Sequence, residues 1–254
     1  MGALHEGHLS LVRRARKECG FVVVSIFVNP LQFAPGEDFA RYPRRLDQDG
    51  ELLARSGADL LYAPDAESFY PAGFSTYVDV EGVTEGGEGA ARPGHFRGVA
   101  TVVARLFHQV APDTAYFGRK DLQQTAVIRR MTRDLEFPLT ISVLDTVREP
   151  DGLALSSRNA YLSPEERAMA AALPRALFAA AKRAQAGASD ARVLEQETRR
   201  ELEAAGLTVD YVELVHPESM FLLAGALWWA AAAANSPANA RTADVRTALI
   251  ERIN

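Results

Sequence analysis

Residues 21–28 have the sequence FVVVSIFV, a continuous run of β-branched and aromatic side chains interrupted by one serine. A run without polar alternation is typical of a strand that is covered on both faces, as in a parallel sheet. An amphipathic helical pattern precedes the run, and strand-like and helix-like segments alternate up to about residue 146. This alternation predicts an α/β fold in which a parallel sheet carries helices on both faces.

The hydrophobic spacing places the other elements of this half of the chain. It predicts further strands at residues 59–64, 75–82, 113–118 and 139–145, the second of them at a sheet edge. It predicts further helices over about residues 43–56, 99–110 and 120–135. A doubly wound sheet also needs a strand that feeds its first helix, and residues 1–7 cannot supply one. We therefore expect the first, central strand to be missing from this chain.

The alternation stops after about residue 146. The sequence SPEE at residues 163–166 is a capping box with proline at the first helical position, and it predicts a long helix to about Gly187. A helix over about 190–205 and a strand at 208–215 follow. We therefore divide the chain into a domain of residues 1–146 and a smaller α+β domain of residues 147–254.

Composition excludes several classes of protein. The 254 residues are 48% hydrophobic and 24% charged, which is typical of a globular enzyme, and the formal net charge of -5 gives no sign of a nucleic-acid partner. No apolar run approaches the ~18 residues that span a bilayer, so no membrane partner is expected. The single cysteine, Cys19, cannot form an intrachain disulfide, which fits the reducing cytoplasm where we expect the protein.

The first eight residues, MGALHEGH, have three interpretations. His5 and His8 can share a helical face as metal ligands, but no Cys/His cluster supplies the third ligand of a zinc site. They can equally be surface or helix-capping residues. The third interpretation is a phosphate site, since a helix N-terminus attracts anions and Gly2 and Gly7 let the main chain approach a ligand.

Three further stretches favour the phosphate interpretation. FGRKDLQQ (117–124) follows a predicted strand and presents Lys120, and LSSRN (155–159) offers two hydroxyls and an arginine for phosphate oxygens. VNPLQF (28–33) ends the strongest strand with two amides, which suit a small hydroxy acid. Taken one at a time, each stretch has an ordinary explanation. Lys120 can be a solvated lysine at a helix start, residues 155–159 can be a helix-capping turn, and residues 28–33 can be a simple turn. Together they predict a nucleoside triphosphate site beside a small polar pocket.

Seven motifs then indicate a family. MGALHEGH, SIFVNPLQF, YPR, GHFRGV, FGRKDLQQ, TVREPDGLALSSRNAYL and VDYVEL occur in this order over about residues 1–216. By these motifs the chain resembles the AMP-forming pantoate–β-alanine ligases (pantothenate synthetases) of the nucleotidyltransferases with an HIGH-type motif. The resemblance implies a Rossmann-like N-terminal domain, a small C-terminal domain that covers the active site, and a homodimer.

The resemblance also implies a reaction in two steps. Pantoate and ATP, with Mg²⁺ on the phosphates, form pantoyl adenylate and pyrophosphate. The amine of β-alanine then attacks the adenylate, and pantothenate and AMP are released. A related adenylyltransferase, or a non-catalytic nucleotide-binding protein that has lost its first strand, are the alternatives. A lid over the reactive adenylate is expected at residues 33–44, which are rich in glycine and proline.

The same resemblance implies the site residues. The catalytic set is His8, as the proton donor, with His5, Lys120 and Arg158. The ATP site comprises Met1, Gly2, Ala3, Leu4, His5, Glu6, Gly7, His8, Gly118, Arg119, Lys120, Asp121, Val147, Leu155, Ser156, Ser157 and Arg158. Pantoate is assigned to Gln32 and Gln124, β-alanine to Gln32, and magnesium to Asp49, with Asn29 and His95 as further candidates. The chain departs from the family at Arg119, usually glutamate, at Leu155, usually methionine, and in its tail after about Met220.

Overall fold

The computed structural model describes residues 2–223, and its strands form two parallel pairs. β1 (Val23–Ser25) pairs with β2 (Leu60–Tyr62), and β3 (Thr114–Gly118) pairs with β4 (Thr140–Leu144). Among the described residues no ladder joins the two pairs. The parallel pairing and the alternation of strand and helix confirm the predicted α/β class.

Helices flank these strands as the spacing predicted. In chain order they are α1 (Glu6–Glu18), α2 (Leu46–Ser56), α3 (Ala66–Phe69), α4 (Gly87–Ala91), α5 (His95–Val110), α6 (Leu122–Asp134), α7 (Pro164–Ala170), α8 (Ala172–Gln185) and α9 (Ala191–Ala204). Within residues 2–223 no helix is both long and apolar enough to cross a bilayer. Met1, the apolar run 226–234 and nearly all of the divergent tail lie outside the described residues.

Two apolar clusters hold the first half together. One joins α1, β1 and α2 through side chains that include Leu9, Val24 and Leu53. The larger one lies between α5 and α6 and includes Val99 and Ile128, which are almost completely buried. The clusters therefore fix α2, which follows β1, and α6, which follows β3. The loops at the strand ends thus connect elements that are packed into a core.

Three predicted elements differ from the structure. Residues 75–82 and 208–215 form no regular strand. In the second stretch, side chains of α9 take the place of a ladder, because Arg199 donates to the carbonyl oxygens of Val209 and Asp210 and Glu195 accepts from the amide of Leu214. The long helix after the capping box breaks at Ala171, since Pro174 has no amide hydrogen for the carbonyl four residues earlier.

A close approach between α5 and the 3₁₀ turn Pro30–Gln32 places part of the site. A Cβ atom built at Gly98 would lie 2.3 Å from the carbonyl oxygen of Leu31, which no real contact allows. The side-chain amide of Asn29 donates to the carbonyl oxygen of Gly98 over 3.0 Å. The turn is therefore held against the helix backbone itself, and Gln32 is held with it.

We expect Gly98→Ala to lower the free energy of unfolding by at least ~1–3 kcal/mol, because the added methyl group forces the turn away from α5. Urea denaturation measures this loss. Gly20→Ala is the matched control, since a Cβ atom at Gly20 meets nothing within 4 Å. Equal stability of the two variants would contradict the proposed close packing.

Candidate active site

His5 and His8 cap the first helix. His5 is the N-cap of α1 and its Nδ1 atom accepts from the amide of Gly7 at 3.2 Å, while Nδ1 of His8 accepts from the amide of His5 at 3.4 Å. The two rings stack with centroids 4.0 Å apart. Because each Nδ1 atom accepts a backbone hydrogen bond, each neutral ring carries its proton on Nε2. The capping interpretation is confirmed, and the Nε2–H groups remain as donors for a ligand.

Both imidazoles are neutral at pH 7 in this structure. The pKa of His8 is lowered to about 3, chiefly by burial, with smaller contributions from the charges of His5 and Lys120. Burial also lowers the pKa of His5, again with a contribution from Lys120. These rings therefore offer hydrogen bonds to an anion, and the positive charge beside them belongs to Lys120.

Asp49 holds the loop that precedes α1. It lies on α2 and is only 2% exposed, and its two carboxylate oxygens accept from the amides of Ala3 (2.8 Å) and Leu4 (2.7 Å). Ala3 has a φ of 50°, in the left-handed region, so these two bonds stabilise a conformation that alanine rarely adopts. Asp49 therefore fixes the backbone path into His5.

Asp49 was also assigned to magnesium, and that assignment stays a prediction. Both oxygens of the buried carboxylate already accept charge-assisted hydrogen bonds from the main chain. In the described part of the chain, no group of three His, Cys, Asp or Glu side chains is arranged to hold a metal ion. The structure assigns Asp49 to the architecture of the loop.

The second predicted segment follows β3. A 3₁₀ turn at Arg119–Asp121 leads directly into α6, so Lys120 stands at the carboxyl end of a strand as predicted. Nζ of Lys120 lies 3.5 Å from the Asp121 carboxylate, and Arg119 is 3.1 Å from the carboxylate of Asp145. Gln124 lies one turn later, at the start of α6.

The third predicted segment lies against the first. The amide of Leu155 donates to the carbonyl oxygen of Val147 at 3.0 Å. The side chain of Leu155 faces Gly7, because a Cβ atom placed on Gly7 would lie 3.7 Å from the Cβ atom of Leu155. Ser156 caps the 3₁₀ helix Ser157–Tyr161. Glu6 is the exception among the predicted residues, because it pairs with Arg13 on the exposed side of α1.

Tyr42 joins the first and third segments, and the residues predicted for the site did not include it. Its hydroxyl lies 3.2 Å from the hydroxyl of Ser157, and its ring lies beneath the guanidinium of Arg158 at 5.5 Å. The same ring is 3.9 Å from the position of a Cβ atom on Gly2. The YPR motif contained Tyr42, but the contact partners could not be identified from the sequence.

Residues 33–44 are attached to the site by two arginines. Arg158 binds Asp38 through two hydrogen bonds of 2.9 Å, and this pairing lowers the pKa of the Asp38 carboxyl group. Arg92 binds Glu37 and, over 2.9 Å, Glu88. Arg92 was not predicted, because its partners lie far apart in sequence.

The amide end of the site is clamped by α5. The carbonyl oxygen of Gln32 accepts from Arg92 at 3.2 Å and from Nδ1 of His95 at 2.9 Å. The turn that carries Gln32 packs on α5, and α5 packs on α6, which carries Gln124. The two glutamines thus lie on adjoining elements, and their sharing of one pocket stays a prediction.

The sequence matches the family model described as pantoate-beta-alanine ligase over residues 1–248. The chain belongs to this family. Among its relatives, the pantothenate synthetase of Moorella thermoacetica is 53% identical over 238 residues, which cover 90% of this chain and 84% of the relative. That of Thermus thermophilus is 57% identical over 224 residues, covering 88% of this chain and 81% of the relative.

Solved structures of family members share the fold. A crystal structure of pantothenate synthetase from Thermus thermophilus has a TM-score of 0.85 at 56% identity and covers 89% of this chain and 82% of its own. A pantoate–β-alanine ligase from Francisella tularensis, crystallised with β-γ ATP and β-alanine, has a TM-score of 0.76 at 34% identity, with 85% and 79% coverage. Because the chain belongs to this family, the segments described above are parts of a ligase.

The anchoring role of Asp49 can be tested without substrate. We expect Asp49→Asn to lower the free energy of unfolding by about 1–3 kcal/mol, because an amide accepts from one backbone N–H and turns its own NH₂ group towards the other. Asp47→Asn is the control, since Asp47 is exposed on the same helix. Urea denaturation measures both.

Addition of magnesium without substrate tests whether Asp49 anchors the loop or binds the metal. The melting temperature of the unmodified chain should stay the same when magnesium is added. A rise that disappears in Asp49→Asn would show that Asp49 binds the metal after all.

Proposed function

We propose that this chain condenses pantoate with β-alanine in an ATP-dependent reaction that passes through pantoyl adenylate and releases pyrophosphate and AMP. One observation carries the proposal: the loop before α1 and the segment 155–158 meet at Tyr42 and Gly7, and the charge of Lys120 acts on both histidines that follow this loop. Such a collection of N–H donors and cations suits a triphosphate. The ATP and β-alanine bound to the Francisella relative support the same reaction.

The first step needs charge compensation. The carboxylate of pantoate attacks the α-phosphorus of ATP, the bond to the bridging oxygen breaks, and pyrophosphate leaves with the electron pair. Lys120 and Arg158 supply positive charge to the phosphate oxygens, and the Nε2–H groups of His5 and His8 donate hydrogen bonds. Magnesium, when bound, would neutralise charge on the ATP phosphates, and Asp49 would be its candidate ligand in the protein. Little covalent chemistry falls to the protein, so positioning dominates.

The ATP site that we propose uses three segments of the chain. The described residues among them are Gly2, Ala3, Leu4, His5, Gly7, His8, Gly118, Arg119, Lys120, Asp121, Val147, Leu155, Ser156, Ser157 and Arg158. Met1 was assigned to the same site and lies outside the described residues. Glu6 is a weaker member, because its side chain pairs with Arg13 at the surface.

The second step takes place at the amide end of the site. Gln32 and Gln124 hold the hydroxy acid, and Gln32 also contacts β-alanine. The amine of β-alanine attacks the acyl carbon of the adenylate, the carbon–oxygen bond to AMP breaks, and the amine loses a proton. Water must be excluded while the adenylate exists. Residues 33–44, attached through Glu37 and Asp38, are the lid in this proposal.

The larger organisation follows from the family resemblance. We propose that residues 1–146 bind the nucleotide and pantoate and that residues 147–254 form a small domain over the active site. Arg158, from the second of these domains, already contacts Asp38 of the first. We also propose that the protein is a homodimer and that it is located in the cytoplasm.

Omission of each substrate in turn tests the reaction. With ATP, magnesium and pantoate, we expect about one equivalent of pyrophosphate per active site and no turnover, because the adenylate stays bound. AMP and pantothenate should form continuously only when β-alanine is added. Transfer of AMP to a phosphate ester, or ATP consumption without pantoate, would instead indicate an adenylyltransferase or another nucleotide-using enzyme.

Lys120→Ala should lower the rate of pyrophosphate release by about 10²–10³-fold, because a positive charge is removed from the transferring phosphate. Single-turnover release of pyrophosphate at saturating ATP measures this rate. Lys17→Ala, at an exposed position on α1, is the matched control and should keep the normal rate. Unchanged release in Lys120→Ala would contradict the assigned role.

A further inference from the structure

The orientation of the buried Asn29 side chain is determined by its neighbours. Asn29 is 3% exposed, and its Oδ1 atom accepts from the backbone amide of Leu31 at 3.3 Å. Its Nδ2 atom donates to the carbonyl oxygen of Gly98 at 3.0 Å. A backbone amide can only donate and a carbonyl can only accept, so the oxygen and nitrogen of Asn29 cannot be exchanged.

Tyr70 completes this arrangement from outside the turn. Its hydroxyl donates to Oδ1 of Asn29 at 2.9 Å, and its ring packs against Phe27, Phe69 and Phe74. Burial raises the pKa of the Tyr70 hydroxyl, so this group stays protonated and remains a donor. The Tyr70 hydroxyl is therefore directed to Asn29 and is not offered to a ligand.

The fixed amide of Asn29 in turn orients Gln32. The second hydrogen on Nδ2 of Asn29 is directed to Oε1 of Gln32 over 3.2 Å. The carbonyl oxygen of the Gln32 carboxamide thus faces Asn29, and its NH₂ group is the part left to donate on the opposite side. Arg92 and His95 hold the backbone of Gln32 at the same time.

We propose that Tyr70 is a positioning residue which, through Asn29, makes Gln32 present its NH₂ group to an acceptor oxygen of the hydroxy-acid substrate. The proposal rests on the proposed function, since it takes pantoate as the ligand of Gln32. It assigns a direction to the interaction: the substrate accepts and the enzyme donates. Carboxylate and hydroxyl oxygens of the substrate meet this requirement, whereas an ammonium group does not. β-Alanine can therefore approach Gln32 only with its carboxylate, and its ammonium group must lie elsewhere.

Tyr70→Phe removes the hydroxyl and keeps the ring in its aromatic cluster. We expect the KM for pantoate to rise by about 3- to 10-fold, because the Asn29 amide loses one of its two donors. The KM for ATP should change by less than about twofold. Tyr62→Phe is the matched control, since its hydroxyl bonds Gln109 on the exposed surface and should affect neither constant.

A double-mutant cycle shows whether Tyr70 acts through Gln32. Adding Tyr70→Phe to Gln32→Ala should cause no further rise in the KM for pantoate, because the group being positioned is already absent. Additive effects, or equal rises in the KM values for pantoate and ATP, would overturn the proposal and leave Tyr70 with a general structural role.

A spectroscopic measurement separates this proposal from the function on which it rests. The side-chain NH₂ resonances of Gln32, identified by their loss in Gln32→Ala, should shift in Tyr70→Phe and stay unchanged in Tyr62→Phe. An unchanged Gln32 signal in Tyr70→Phe would refute the positioning itself. A shifted signal in a protein that does not use pantoate would refute the proposed substrate and with it the role of Gln32, while the hydrogen-bonded chain would stand.

Discussion

The geometry of the candidate site depends on the carboxylate of Asp49. This group stands at the beginning of α2, almost completely buried, and binds two successive backbone amides of the N-terminal loop. The loop places Gly2 beside Tyr42 and Gly7 beside Leu155, and it leads into the two stacked histidines. A short segment without regular structure is thus held in one conformation by a single side chain, and three remote parts of the chain meet on it.

Much of the fold could be predicted because hydrophobic spacing reports burial directly. The helices α1, α2, α5 and α6 and the strands β1 to β4 lie where the spacing placed them, since each packs an apolar face into a core. Residues 75–82 and 208–215 have the side chains of strands but lack a ladder. Their backbone groups bond instead to side chains such as Thr101, Arg199 and Glu195. Strand propensity describes a side chain's fit to a sheet and cannot reveal whether a partner strand exists.

The candidate site shows the same division. The segments rich in glycine, histidine, lysine and serine were recognisable because their residue types suit a phosphate, and the structure brings Gly7 of the first segment against Leu155 of the third. The supporting residues were not recognisable. Gln123, for example, is 1% exposed and holds the loop before α4 through Val83, Gly86 and Glu88. Gln123, Asp49 and Arg92 are common residue types that form no recognisable motif. Their roles follow only from contacts with residues that are distant in sequence.

The two ion pairs that attach residues 33–44 differ in their access to solvent. The pair of Arg92 and Glu37 is 12% and 7% exposed, whereas the pair of Arg158 and Asp38 is 49% and 17% exposed. Dissolved ions screen exposed charges far more than buried ones. Rising ionic strength therefore weakens the contact at Asp38 and leaves the one at Glu37 largely intact. The ion pair at Asp38 is therefore the salt-sensitive attachment of this segment.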